Sequence, residues 1–247
     1  MQTKIVNRLL ATLLAIYFGS LVARAAEPEG KKDKIKLLVV TGGHSFDPAA
    51  FYKLFQDNPE IEFTRCAQAK VSEVWDRDDL LNYDAILLYD FYRELTPAEQ
   101  AKFQSLFDHG VGLIVLHHAL LSYQNWPEYE RIGGGKYLLD NERTADQVTP
   151  ASTYKGDVDI DVAIVDKSHP ITAGLSDFTV HDEIYRGVRT TPDIHVLMTT
   201  EGHPLAWTRT EKNSRVFGTI IGHGCFADPN FQKMLAQAIR WVSEKHP

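Results

Sequence analysis

The chain has 247 residues, 44% hydrophobic and 24% charged, with 26 Lys and Arg against 33 Asp and Glu and a formal net charge of −7. That length supports one well-buried globular domain and leaves little room for a second. The Lys and Arg residues are scattered and form no basic stripe, which argues against a nucleic-acid partner, whose phosphates would require one.

Residues 1–25 stand apart. Lys4 and Arg8 precede the apolar run LLATLLAIYFGSLVA, and Ala23-Arg24-Ala25 places small residues at a processing site, the pattern of a secretory signal peptide. An uncleaved anchor is the other reading, but the run is shorter than the roughly 20 residues a spanning helix needs. Cleavage after Ala25 removes Lys4, Arg8 and Arg24 and no acidic residue, moving the formal charge from −7 to −10. The expectation is a periplasmic or secreted protein with no membrane contact once the signal is gone. Only Cys66 and Cys225 are present. They are read as separate buried thiols, although an oxidising compartment permits a disulfide between them.

From residue 34 onward short apolar runs alternate with amphipathic stretches, as in a mainly parallel sheet covered by helices on both faces. IKLLVV (35–40) is the first predicted strand. Asp47-Pro48 then offers an N-cap and a first-turn proline for a helix carrying Phe51, Leu54 and Phe55. IEFTRCA (61–67) reads as the second strand, DDLLNY as a short helical connection and AILLYDF (85–91) as the third strand. Thr96-Pro97-Ala98-Glu99 is a capping box, Phe103, Leu106 and Phe107 follow at helical spacing, and Gly110 is the stop. LIVLH is the fourth strand. DVDIDVAIV, IHVLMTT, PLAWTRT and RVFGTII are later strands, with an antiparallel edge. Asp228-Pro229 opens a closing helix with Phe231, Met234, Leu235, Ala238, Ile239 and Val242 on one stripe. Right-handed crossovers give the flavodoxin-like strand order 2-1-3-4, and ligands of such sheets bind beyond the carboxyl ends of the strands.

His44 follows the first strand, Asp90 ends the third, His117 and His118 end the fourth, and His223 follows RVFGTII, so all fall on that rim. A sharp turn at the fourth strand exposes one of the paired imidazoles. His117 is favoured as the site residue and His118 as its hydrogen-bonded neighbour, with the reverse left open. HDEIY (181–185) is the second dense cluster, and in an extended segment His181, Glu183 and Tyr185 share a face. Imidazole with carboxylate suits zinc or a similar divalent ion, and no H-E-x-x-H spacing is present, so a metal site would assemble from distant segments. Tyr123, Trp126 and Tyr129 form an aromatic patch that either packs in the core or stacks on a sugar. Gly133-Gly134-Gly135-Lys136 reads as a flexible turn, because it lacks the spacing and the Ser or Thr of a phosphate loop. No nucleotide cofactor is expected.

The segments VVTGGHSFD, LIVLHHA, NWPEY, GGGKY, SHPITAGL, HDEIY, RVFGTIIGHG and DPNF together resemble the ThuA-like (trehalose utilisation) family over nearly the whole chain after the signal, as a domain at 34–246. The resemblance implies the class I glutamine amidotransferase-like fold, a flavodoxin-like three-layer α/β sandwich with a mainly parallel sheet. It also implies a place in disaccharide or other carbohydrate catabolism. By position it points to His44, His117, Glu183 with Tyr185, and His223, the rim set already assembled. The chain has two histidines, His117-His118, where the family pattern carries one. Amidotransferase relatives place a cysteine nucleophile at the fourth-strand turn with a His-x-Glu pair. His181-Asp182-Glu183 echoes the pair, but neither cysteine lies at the turn.

The expectation is therefore an exported hydrolase or isomerase acting on a (keto-)glycoside or disaccharide, assisted by a metal or by acid–base groups. His117, Glu183, Tyr185 and His181 are its catalytic candidates, and Trp126, Tyr129, His118 and Asp90 its substrate contacts. His44, His117, Glu183 and His223 are the candidate ligands of a divalent metal such as zinc. The partner is a small carbohydrate, with self-association an open expectation. A non-catalytic carbohydrate-binding module is the alternative.

Overall fold

The computed structural model describes residues 33–68, 74–91 and 94–244. The expected signal segment, residues 1–25, lies outside the described residues. Among the described residues no helix is long and apolar enough to cross a membrane.

The first half of the chain builds alternating strands and helices. Strand β1 (Ile35–Gly42) leads into helix α1 (Pro48–Gln56), and Asp47 caps that helix by accepting from the backbone N–H groups of Ala49 and Ala50. Strand β2 (Ile61–Ala67), a single 3₁₀ turn at Leu80–Asn82 and strand β3 (Ala85–Asp90) follow. Helix α2 (Pro97–Asp108) starts at the expected capping box, in which Thr96 Oγ1 accepts from Glu99 N and the Glu99 carboxylate accepts from Thr96 N. Strand β4 (Gly112–Leu116) ends one residue before the paired histidines, which open a 3₁₀ turn at His117–Leu121. Helix α3 (Pro127–Gly133) comes next.

Short strands β5 (Gly135–Lys136), β6 (Glu142–Arg143) and β7 (Val148–Thr149) bridge to a long hairpin, β8 (Thr153–Ile164) with β9 (Phe178–Arg186). After β10 (Arg189–Thr190), strands β11 (His195–Thr200), β12 (His203–Glu211) and β13 (Ser214–Thr219) return toward the centre, and helix α4 (Pro229–Ser243) closes the chain.

Nine strands form one sheet in the order β2-β1-β3-β4-β13-β12-β11-β8-β9. The pairs from β2 through β13 are parallel, and those from β13 outward to β9 are antiparallel. The expected 2-1-3-4 order and antiparallel edge are both present. Leu37, Leu38, Val39 and Val40 are all fully buried, and so are Ile86, Leu87 and Leu88, because helices cover both faces of the parallel half. Phe51 of α1 and Phe231 of α4 meet Phe226 on one face, while Phe103 of α2 packs on Trp126 and Tyr129 on the other. The three glycines read as a flexible turn end α3 instead. Gly134 takes the left-handed C-cap conformation, and Gly135 lies so close to the Trp207 ring that a side chain there would collide with it.

The topology fixes where a site can lie. The chain leaves β1 toward β2 and returns to β3 on β1's other side, so the loops after β1 and β3 diverge and leave a crevice at their carboxyl ends. His44 lies in one of these loops and Asp90 at the start of the other.

Candidate active site

Four imidazoles from three loops gather over the ends of β1, β4 and β13. The His44 ring stacks on His118 with centroids 4.8 Å apart and meets His223 edge-on at 5.2 Å. His117 lies 5.3 Å from His223 and 5.6 Å from His118. His117 and His118 are buried at the bottom of the cluster, and His44 and His223 are half-buried above them.

The turn after β4 explains the paired histidines. His117 has φ +49°, a left-handed conformation that a non-glycine residue adopts only when its surroundings impose it. That sharp turn sends successive side chains apart. His117 turns toward β13 and β9, where its Nδ1–H donates to the backbone carbonyl of Ile220. His118 turns toward β3, and its Nε2–H donates to the Tyr89 carbonyl at 3.1 Å while its ring lies on Tyr89 with centroids 4.1 Å apart. Burial, reinforced by the neighbouring His117 and His44, pushes the His118 pKa down to about 2, so it stays neutral. His118 is the packed neighbour and His117 faces the carboxylate of the site.

That carboxylate is Glu183. Its Oε1 lies 3.3 Å from His117 Nε2, although the alignment falls short of a hydrogen bond. Tyr185, two residues along β9, stacks on the His117 ring at 4.3 Å. Ile220 O can only accept, so Nδ1 carries a proton and Nε2 is the nitrogen that meets the carboxylate. The His117 contact is the largest influence on Glu183 and holds its pKa below the usual carboxylate range, against burial, which raises it. The His223 pKa is held below its ordinary value by burial first and by the neighbouring His117 second.

His44 shows the same arrangement. Its Nδ1–H donates to Ser45 O at 2.7 Å, leaving Nε2 unprotonated in the neutral ring. A ring nitrogen tied to a backbone carbonyl is also the arrangement found around metal-bound histidine. Among the described residues, however, no group of three or more His, Cys, Asp or Glu side chains is arranged to hold a metal ion.

The remaining sequence candidates lie elsewhere. Asp90 is fully buried beneath the rim, accepting from Tyr123 Oη at 2.6 Å and Gln68 Nε2 at 3.0 Å. Trp126 and Tyr129 are in the core, not on the rim. The proline-started helix α3 turns them inward against Phe103, and Tyr129 Oη donates to Ala119 O, bracing the turn that carries the histidines. His181 points outward from β9, with Nδ1 2.8 Å from Asp159 and Nε2 2.9 Å from Asp157, on the surface and apart from the imidazole cluster. Cys66 and Cys225 both stand as buried thiols. Sequence reasoning passed over Asp182, a buried carboxylate that accepts from the backbone N–H groups of Gly222, His223 and Gly224. Its one signal in the sequence is an acidic residue at an inward position of a strand.

The order 2-1-3-4 with an antiparallel edge is a glutamine amidotransferase-like α/β fold, and histidine occupies the strained turn after its fourth strand. The fold is shared with a ThuA-like protein from Parabacteroides merdae, at 18% identity and TM-score 0.73, covering 85% of this chain and 90% of that one. A ThuA-like protein from Bacteroides uniformis aligns at 21% identity and TM-score 0.65, over 88% and 95% of the two chains. PurLQS from Thermotoga maritima aligns at 13% identity and TM-score 0.51, over 85% and 99%. No curated protein matches the sequence. The ThuA family pattern, described as trehalose utilisation, matches residues 36–242, and the chain belongs to that family.

Proposed function

We propose that this ThuA-family protein processes a carbohydrate, as a hydrolase or isomerase acting on a (keto-)glycoside or disaccharide, with His117 and Glu183 as its acid–base pair. One observation carries the reading: His117 Nε2 and Glu183 Oε1 face each other at 3.3 Å with the far side of the ring already committed to Ile220, so an imidazole and a carboxylate stand together where a proton could be exchanged. In a ring-opened or keto sugar, one member of the pair takes a proton from carbon or water and the other gives one to the oxygen that gains charge. Tyr185, stacked on the ring, holds His117 in register. Glutamine chemistry is set aside because no cysteine stands at the turn.

The test is turnover of a panel of disaccharides and their keto derivatives by the purified protein and by His117→Ala and Glu183→Gln. Each variant is expected to lose about 10²- to 10⁴-fold in kcat while keeping its circular dichroism. Wild-type rates in either would overturn the assignment. His44, His117, Glu183 and His223 carry the donor types that suit zinc or a similar divalent ion, although the structure does not arrange them as a ligand set. Metal analysis of the purified protein decides whether such an ion joins the pair. The alternative, a sugar-binding module that grips its ligand through Trp126, predicts that Trp126→Ala abolishes binding with the fold intact, yet Trp126 is buried. Export to the periplasm or medium belongs to the same reading and is tested by fractionating cells that produce the full chain.

A further inference from the structure

The carboxylate of Asp182 is 4% exposed and lies on β9 beside Glu183. It accepts from three consecutive backbone N–H groups: Gly222 at 2.6 Å, His223 at 3.2 Å and Gly224 at 2.7 Å. Three N–H groups converging in this way form an anion-binding nest, here filled by a side chain of the protein itself. A charge-assisted bond of this kind is roughly twice as strong as a neutral one, and a buried nest without its anion leaves three donors unsatisfied. Gly222 sits at φ +128°, and a Cβ there would strike Leu116 and Phe231. With the loop fixed, the His223 ring reaches His117 at 5.3 Å and His44 at 5.2 Å.

We propose that Asp182 is a positioning residue that sets His223 in the imidazole cluster by clamping the Gly222–Gly224 backbone. Adjacent residues of a strand project to opposite sides, so β9 meets His117 through Glu183 and the β13 loop through Asp182. One strand thereby fixes the distance between the acid–base pair and the third imidazole. The significance for turnover rests on the functional reading above; the placement of the ring does not.

The experiment uses nuclear magnetic resonance on the uniformly labelled protein with no substrate, in a deuterated sample for the hydrogen-bond couplings and a protonated one for the ring contacts. In the wild type, through-hydrogen-bond couplings are expected from the Asp182 carboxylate carbon to the Gly222 and Gly224 amide nitrogens, together with ring-to-ring cross-peaks linking His223 with His117 and His44. In Asp182→Asn, which leaves one acceptor for three donors, the couplings and the His223 cross-peaks should be lost while those between His44 and His118 remain. Where a substrate is in hand, kcat should fall on the order of 10²-fold with little change in KM. An unchanged His117–His223 cross-peak in Asp182→Asn overturns the proposal. Should that variant fail to fold, absence of the couplings in the wild type overturns it and their presence supports it. Loss of the function reading, through an active His117→Ala, would leave these spectra untouched.

Discussion

The pairing of His117 with Glu183 illustrates how a backbone carbonyl can fix the orientation and tautomer of a side chain. Ile220 O commits one ring nitrogen, and Glu183 meets the other. His181 is the same device in the open. Both of its nitrogens face carboxylates, Asp159 the stronger influence and Asp157 the second, and its pKa is raised above the ordinary 6.5. The charged form is favoured in the folded state, so the pair's contribution is fully present below pH 6.5 and is lost as pH rises through the raised value. Following the ring resonances of His181 through a pH titration should show that raised pKa, and Asp159→Asn should lower it more than Asp157→Asn. A midpoint unmoved by either substitution would sink this account. The rim histidines were legible because strand ends and loop starts can be read from local patterning. Asp182 was not, because its partners are backbone groups forty residues away that carry no side-chain signature. Trp126 and Tyr129 were ambiguous for a different reason: an aromatic following a strand reads alike whether its helix turns it inward or outward.

The elements themselves follow local chemistry closely. The Thr96–Glu99 capping box, the Asp47 cap and the Asp228–Pro229 start all sit where the sequence puts them, because each depends on residues within one helical turn. Thr96→Ala should reduce stability by about 1 kcal/mol in urea unfolding, and no change in the midpoint would count against the cap. The hairpin was harder to read. DVDIDVAIV announces a strand from Asp157, but β8 begins four residues earlier, at Thr153, and its register with β9 shifts between Lys155 and Val158. Gly156 and Asp157, at φ +57°, fall in that irregular stretch, close to Glu183. A bulge can re-aim a neighbouring side chain, and no periodicity in the sequence foretells it.

On the scale of the molecule, the parallel half of the sheet was readable because crossover handedness leaves few orders to choose from. The antiparallel order β13-β12-β11-β8-β9 was not, since nothing local tells a strand which distant neighbour it will meet. The closing helix shows how tightly the halves are joined. A Cβ on Gly112, at the start of β4, would fall within the van der Waals shell of the Val242 backbone near the end of α4. Gly112→Ala should therefore push α4 off the sheet and lower stability by about 1–3 kcal/mol in guanidinium unfolding; wild-type stability would show that the helix has room to move.

The outer hairpin is joined far more loosely. β8 pairs with β11 at only two positions, Ile164 with Met198 and Ala163 with Thr199. Glu183, Tyr185 and Asp182 thus ride on a ribbon hinged near one end, while the imidazoles are rooted in the rigid parallel core. A scaffold divided in this way can trade one ribbon for another and acquire a new acidic partner for the same histidines, leaving its foundations as they were.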